Sequence, residues 1–142
     1  MSDPKPRNES KPLVIVADDD ADILTVVKLK LEGAGLRVIT ARDGQEAMVA
    51  VRRHRPALVI LDIMMPRLDG FQVARMIKFD KHLKATPVLL LTVRTQETDR
   101  KLGSQVGADE YFPKPFDPQR LLDRVTYWLT RKPEPSTERT SV

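Results

Sequence analysis

The feature of this sequence that most constrains its fold is a run of large apolar residues, 58–61, that ends in the carboxylate of Asp62. Pro56 precedes this segment and Pro66 follows it. A short, uniformly apolar run between such breaks is typical of a strand buried on both faces of a parallel sheet. Asp62 would then lie at the carboxyl end of the strand, the edge at which ligands bind in open α/β sheets. Asp62 is therefore the first candidate for a functional side chain.

The same pattern recurs along the chain, where strand-like apolar runs alternate with segments of helical spacing. The strand-like runs are residues 13–17, 37–41, 58–61, 87–92 and 109–112. Capping residues, apolar periodicity and glycine stops predict helices that begin after Asp20, Asp43, Asp69, Thr95 and Asp117. Five such β-α units predict an α/β fold, a doubly wound five-stranded parallel sheet with five helices covering its two faces.

Three local signals refine this prediction. Asp43 and Glu46 have the spacing of a capping box at the start of the second helix. Residues 37–41 are β-branched and more polar than the other runs, which indicates a strand near an edge of the sheet. Pro113 lacks the N–H that a central strand needs, so the last strand is also predicted at an edge.

Composition and charge indicate one globular domain in a chain of 142 residues. We expect a disordered lead-in at 1–11, one folded domain at 12–131 and a flexible tail at 132–142. No apolar run approaches the roughly 20 residues of a membrane helix, and because the N-terminus is polar we expect no secretory signal peptide. The absence of Cys suits a reducing compartment, so we expect a cytoplasmic protein. The net charge of +4 is spread among acids, which indicates a mixed solvated surface rather than a nucleic-acid site.

Polar side chains follow four of the predicted strands at the point where each apolar run stops. They are Asp18, Asp19 and Asp20 after the first strand, Asp62 after the third, Thr92 at the end of the fourth and Lys114 after the fifth. Because the carboxyl ends of parallel strands share one edge, we expect these groups to converge. Carboxylates without His or Cys nearby suit Mg²⁺. A cation, a hydroxyl and an ammonium around one carboxylate can stabilise a phosphoryl group in transfer, and a carboxylate can itself be the covalent acceptor.

Together these motifs resemble the receiver domain of bacterial two-component response regulators, a family that includes the chemotaxis regulator CheY. The resemblance covers about residues 13–129 and implies a flavodoxin-like sheet of strand order 2-1-3-4-5. It rests on the segments 16–23, 61–66, 69–70, 91–92, 107–111 and 114–116.

The resemblance assigns the acids as follows. Asp62 is the phosphoacceptor, and Asp19 and Asp62 bind Mg²⁺ directly together with the backbone carbonyl of Met64. Asp18 acts on the metal through water. The three consecutive acids could also be aligned one residue later, but the helix start that follows them favours Asp18 and Asp19. Asp20 would then lie near the helix N-terminus, where the helix dipole favours a carboxylate.

The resemblance also assigns the remaining site residues. Thr92 supplies a hydroxyl to the phosphoryl group and Lys114 an ammonium, so both are catalytic together with Asp62. Thr92 and Tyr111 form the switch, in which the aromatic ring turns inward when Thr92 moves. Lys114 and Pro115 are joined by a cis peptide bond. Taken singly, Thr92 and Lys114 would be ordinary structural or solvated residues, and Tyr111 is equally consistent with a partly buried strand aromatic.

The function implied is that of a stand-alone receiver, which takes its phosphoryl group from a histidine kinase or a histidine phosphotransfer protein. It would not be an enzyme beyond self-catalysed phosphotransfer and autodephosphorylation. A downstream effector protein is expected to bind the face of the fourth helix, fifth strand and fifth helix, and a homodimer is allowed. That face includes Arg94, Arg100, Lys101 and Tyr111. Neither direct DNA binding nor membrane association is expected.

Two alternatives remain open from the residues. A receiver-like binding module could signal without phosphorylation. A small phosphatase similar to the haloacid dehalogenase family could use Asp18, because Asp18 and Asp20 after a strand imitate the motif of that family. The short chain, the lack of an evident cap domain and the unexplained role of Asp62 weigh against the phosphatase.

Overall fold

The computed structural model describes residues 11–93 and 107–131 of the chain. The strands are β1 (Leu13–Ala17), β2 (Arg37–Ala41), β3 (Leu58–Asp62), β4 (Val88–Thr92) and β5 (Glu110–Pro113). The helices in these ranges are α1 (Ala21–Gly33), α2 (Gly44–His54), α3 (Gly70–Lys78) and α4 (Pro118–Thr130). All neighbouring strands are parallel, in the order β2-β1-β3-β4-β5, which confirms the predicted sheet and its two edge strands.

The structure describes four helices, against the five that the sequence predicts. The helix predicted after Thr95 falls on residues 94–106, which lie outside the described ranges. The helix labelled α4 is thus the fifth predicted helix, the one that follows Asp117.

The sheet separates two apolar layers, which explains the continuous apolar runs of its central strands. Every residue of β1, β3 and β4 is buried. Alternate side chains of these strands pack against α2 and α3 on one face and against α1 and α4 on the other. Since both faces are covered, no position of a central strand can be polar until the strand reaches its carboxyl end.

An aspartate caps the start of each described helix, and these caps fix where the loops at the carboxyl edge end. The capping residues are Asp20, Asp43, Asp69 and Asp117. Only the Asp69 cap, paired with Gln72, is a complete capping box. At α2 the Asp43 carboxylate accepts the N–H of Glu46 at 2.8 Å as predicted, but the Glu46 carboxylate accepts the N–H of Arg42 instead of that of Asp43.

Two glycines allow the loops at this edge to lie in direct contact. A Cβ at Gly70 would be 2.5 Å from the backbone oxygen of Asp62, and the Gly70 N–H donates to the carbonyl of Ile63 at 2.9 Å. A Cβ at Gly44 would collide with the carbonyl of Leu68. The first turns of α2 and α3 are therefore packed against the β3–α3 loop, with no room for a side chain at either position.

Candidate functional site

Three carboxylates meet at the carboxyl edge of the sheet. Asp18 and Asp19 follow β1, Asp62 ends β3, and one carboxylate oxygen of each lies within 4.8 Å of the others. Asp18 is completely buried and Asp62 is 4% exposed, whereas Asp19 is exposed. β1 and β3 are paired, with Ala17 opposite Leu61, so the acids that follow the two strands are brought side by side.

The ammonium group of Lys114 lies among these acids. Its Nζ is 3.1 Å from Oδ1 of Asp62 and 3.0 Å from Oδ2 of Asp18. The backbone N–H of Lys114 donates to the carbonyl of Thr92 at 2.8 Å, which fixes the residue beyond the end of β5. The peptide bond between Lys114 and Pro115 is cis. The site thus joins the ends of β1, β3 and β5 at one point.

The charges in this site do not balance. Three carboxylates face one ammonium, which leaves two negative charges uncompensated. Burial raises the pKa of Asp62 to about 6, and the nearby Asp18 carboxylate adds to the rise, while Lys114 and the Met64 N–H oppose it. Burial alone would lower the pKa of Lys114, but Asp18 and Asp62 outweigh burial and raise it.

The donor set fits a hard divalent cation. All three groups offer oxygen, and Oδ2 of Asp18 is fully buried without a well-aligned hydrogen bond, its contact with Lys114 being an ion pair. Two uncompensated negative charges and an under-satisfied buried oxygen are what a bound divalent cation would neutralise. A cation-binding site is therefore chemically consistent with this edge.

Asp20 has a different role from its two neighbours. Its Oδ1 accepts the N–H groups of Asp22 and Ile23 at 2.9 and 3.4 Å, so it is the N-cap of α1. Its own N–H donates to Oδ1 of Asp18 at 2.9 Å. In the structure Asp18 and Asp19 therefore lie in the carboxylate cluster, and Asp20 caps the helix.

Thr92 and Met64 border the cluster. Thr92 is 4% exposed, and its hydroxyl donates to the carbonyl of Val93 at 3.3 Å. The backbone N–H of Met64 donates to the Asp62 carboxylate, while Met64 as a whole is 61% exposed. No sequence pattern predicts this N–H contact, since a backbone donor does not depend on the side chain that follows the strand.

Tyr111 and Glu110 point to opposite faces of β5. Tyr111 is half-buried against the layer that contains α2 and α3, and burial raises its pKa. Glu110 faces α4, where its carboxylate accepts two N–H groups of Arg124 at 2.9 to 3.0 Å and Nε1 of Trp128 at 2.7 Å. Burial alone would raise the pKa of Glu110, but the hydrogen bonds from Arg124 and Trp128 outweigh burial and lower it. The three predicted surface cations, Arg94, Arg100 and Lys101, lie outside the described residues.

An apolar groove opens beside Lys114. Its volume is about 400 Å³, and it runs between α1 and the segment that links β5 to α4. The lining includes Ile23, Val26, Val93, Pro115, Phe116 and Pro118. Val26 and Val93 are about half exposed there.

Among the described helices, none is long and apolar enough to cross a membrane.

Comparisons with known proteins agree with this geometry. The family model described as the response regulator receiver domain matches residues 14–126. The alkaline phosphatase synthesis transcriptional regulatory protein PhoP of Bacillus subtilis is 40% identical over 118 residues, which are 83% of this chain and 48% of that protein. This chain thus spans about half the length of the curated relatives it matches.

Two solved structures are similar in fold and sequence. The chemotaxis response regulator CheY4 of Vibrio cholerae has a TM-score of 0.76 and 34% identity, and the match covers 84% of this chain and 99% of that one. The receiver domain of the sensor histidine kinase PA1611 of Pseudomonas aeruginosa has a TM-score of 0.76 and 27% identity, with 84% and 98% covered. That structure holds a magnesium ion in its active-site cleft.

Proposed function

The chain belongs to the response regulator receiver family, and on that premise we propose that Asp62 accepts a phosphoryl group from a phosphohistidine. The donor would be a histidine kinase or a histidine phosphotransfer protein. The observation that carries this proposal is the cluster at the sheet edge, where a buried carboxylate lies beside two further carboxylates and within 3.1 Å of the Lys114 ammonium.

The transfer is a displacement at phosphorus. An Asp62 carboxylate oxygen attacks, the new P–O bond forms, and the P–N bond breaks with its electron pair going to the imidazole of the donor. The pKa of about 6 leaves Asp62 mainly ionised at neutral pH, the form that can attack. Lys114 lies against Oδ1 of Asp62, where its charge would offset the negative charge that the phosphoryl group brings.

The same cluster supports Mg²⁺ as the cation. Asp19 and Asp62 with the Met64 carbonyl would bind it, and Asp18 would act through water. When bound, Mg²⁺ would neutralise oxygens of the transferring group and of the acceptor. The fit rests on the oxygen-only donor set and its excess negative charge, and it is in keeping with the magnesium ion in the PA1611 receiver.

The output is proposed to run through β5. Thr92, at the end of the neighbouring strand, is the hydroxyl that would engage the phosphoryl group, and Tyr111 is the aromatic that would respond. Glu110 connects β5 to α4 through Arg124 and Trp128, so a shift of β5 would also move side chains on the surface of α4. This arrangement supports a downstream protein partner on the side of β5 and α4.

The phosphodonor protein is proposed to approach from the other side of Lys114. The groove between α1 and the β5–α4 segment is apolar and opens next to Lys114, and an apolar helix face of a donor would cover it. Beyond the transfer and the later hydrolysis of its own phosphoryl group, no enzymatic activity is proposed for this domain. The family match decides against the haloacid-dehalogenase-like alternative, since the receiver family accounts for residues 14–126.

The test is intact mass after incubation with Mg²⁺ and acetyl phosphate. We expect one phosphate adduct on the wild type and none on Asp62→Asn. Asp123→Asn is the matched control, because Asp123 is exposed on α4 and contacts the Gln119 side chain. An adduct that persists in Asp62→Asn would refute Asp62 as the acceptor. The lack of any adduct on the wild type would favour a binding module that works without phosphorylation.

A further inference from the structure

We propose that Arg42, in the β2–α2 loop, is a positioning residue for the Asp19 side of the cation site. This inference rests on the proposed function in one respect, namely that Asp19 binds Mg²⁺. Neither the sequence motifs nor the charge cluster itself includes Arg42, which follows a strand that supplies none of the site residues. Its contacts nevertheless lead directly to the loop that carries Asp19.

The contact is between a guanidinium and a backbone carbonyl. Nη2 of Arg42 donates to the carbonyl oxygen of Asp19 at 3.3 Å. The preceding residue of the same loop is also in contact, because the N–H of Asp18 donates to the carbonyl of Ala41 at 3.0 Å. The β1–α1 loop is thus held to the end of β2 at two successive residues.

Arg42 is itself held in place from the other direction. Its backbone N–H donates to Oε1 of Glu46 at 2.8 Å, and the N–H of Glu46 donates to Asp43 at 2.8 Å. Glu46 accepts the N–H of Arg42 rather than that of the capping residue Asp43, and this contact fixes the backbone of Arg42 to the first turn of α2. A guanidinium on a fixed backbone can define where the Asp19 carbonyl lies.

The β2–α2 loop also contacts the loop that follows Asp62. Oδ2 of Asp43 pairs with Nη1 of Arg67 at 3.1 Å, and the N–H of Gly44 points to the carbonyl of Pro66 at 3.5 Å. One short segment, residues 42–44, therefore touches both loops that bring carboxylates to the cation site. We expect it to set the distance between Asp19 and Asp62.

Asp19 is the acid that most needs such support. Asp18 and Asp62 are buried and held by their surroundings, whereas Asp19 is exposed. Loss of a contact that orients a metal ligand commonly weakens metal binding by about 10- to 100-fold. Because the contact here is long and exposed, we expect roughly 3- to 10-fold weaker Mg²⁺ binding when it is removed.

The sign of the change separates positioning from simple electrostatics. Arg42 is a cation near a cation site, so if only its charge mattered, its removal would tighten Mg²⁺ binding. If Arg42 positions Asp19, its removal weakens binding despite the relief of repulsion. A lysine at this position keeps the positive charge and offers one nitrogen as a hydrogen-bond donor, so it should restore part of the affinity for Mg²⁺.

The experiment is calorimetric titration of the full chain with MgCl₂, without any phosphodonor. The variants are Arg42→Ala, Arg42→Lys and the control Arg53→Ala, an exposed arginine near the other end of α2. We expect weaker binding for Arg42→Ala, intermediate binding for Arg42→Lys and wild-type binding for Arg53→Ala. Urea unfolding of each variant without Mg²⁺ should give the wild-type midpoint, since Arg42 is exposed.

Two outcomes would overturn the inference, and they differ in what else they affect. Unchanged or tighter Mg²⁺ binding by Arg42→Ala, with a wild type that binds Mg²⁺, would refute the positioning role and leave the proposed function intact. A wild type that binds no Mg²⁺ would refute the metal site of the proposed function and the inference with it.

Discussion

Two clusters of lysine and aspartate lie at opposite ends of β4, and they differ in how well their charges are satisfied. At the amino end, Nζ of Lys78 is 2.6 Å from Oδ2 of Asp109 and donates to the carbonyls of Thr86 and Lys84 at 2.8 and 3.1 Å. The same Asp109 oxygen accepts the N–H of Val88 at 2.8 Å. One ammonium thus meets one carboxylate, and three acceptors surround the ammonium.

At the carboxyl end of β4 the positive and negative charges are not matched. Lys114 faces Asp18 and Asp62 together, with Asp19 close by. Burial and the neighbouring carboxylate raise the pKa of Asp62, and one oxygen of Asp18 lacks a well-aligned hydrogen bond. The folded protein therefore keeps an excess of negative charge here, which costs stability until a cation is bound.

Residue type alone therefore does not distinguish a structural ion pair from a candidate functional cluster. Both clusters contain a largely buried lysine, with side chains 14% and 13% exposed for Lys78 and Lys114. What differs is the number of acids for each ammonium and whether every donor and acceptor has a partner. A saturated pair leaves no charge for a ligand to neutralise, whereas an unsaturated cluster is a candidate ligand site.

The largest expected effect is that of Lys78→Met. It removes the ammonium from three acceptors and leaves the Asp109 carboxylate, whose side chain is 26% exposed, without its counter-ion, so the free energy of unfolding should fall by about 2–3 kcal/mol. Urea unfolding measures this loss. Phosphate adduct formation by the folded variant should match that of the wild type. A variant of unchanged stability that no longer forms the adduct would reverse the proposed distinction between the two clusters.

The next effect has the opposite sign and comes from Asp62→Asn. Because the pKa of Asp62 in the fold, about 6, lies above its ordinary value of 3.8, ionised Asp62 opposes folding. Replacing it with a neutral isostere should raise the free energy of unfolding at pH 7.5, without divalent cations, by about 1–2 kcal/mol. Urea unfolding again gives the value.

The pH dependence of this gain provides its control. A raised pKa means that the folded protein binds the proton more tightly than the unfolded chain, so wild-type stability contributed by Asp62 is present below pH 4 and lost as the pH rises to 6. The advantage of Asp62→Asn should therefore vanish near pH 4. An advantage of equal size at pH 4 and pH 7.5 would show that the carboxylate charge is not its cause.

The smallest effect is that of Mg²⁺ on stability. A ligand that binds only the folded state stabilises it by about 0.8 kcal/mol when its concentration is roughly three times its Kd. We expect this gain for the wild type and for Lys78→Met, and a smaller one for Asp62→Asn, as measured by thermal unfolding with and without MgCl₂. Equal gains for the wild type and Asp62→Asn would place the bound cation elsewhere than at the Asp62 cluster.

The fold was predictable because its signals are local. Runs buried on both faces, an aspartate before each described helix and the Pro113 edge signal all lie within a few residues of the structure they determine. The convergence of Asp18, Asp62 and Lys114 followed from one rule, that parallel strands share their carboxyl edge.

What escaped prediction depends on partners that are distant in the sequence. Asp109 was assigned to the last strand, whereas β5 begins at Glu110 and Asp109 pairs with Lys78. The contact of Arg42 with Asp19 likewise joins two loops, and its donor and acceptor give no pattern in either segment. Such pairings require the assembled fold, because a single Lys, Arg or Asp in a loop fits many partners.

The absence of a Cβ at Gly70 has a consequence for how a signal would leave Asp62. The first turn of α3 abuts the Asp62 carbonyl, and α2 abuts the β3–α3 loop at Leu68, so the helical side of the site acts as a rigid wall. If the side chain at Asp62 became bulkier, α2 and α3 could not move away to make room for it. Under the proposed phosphorylation of Asp62, any displacement would therefore be directed across the sheet toward β4 and β5, because the side of α2 and α3 is closed.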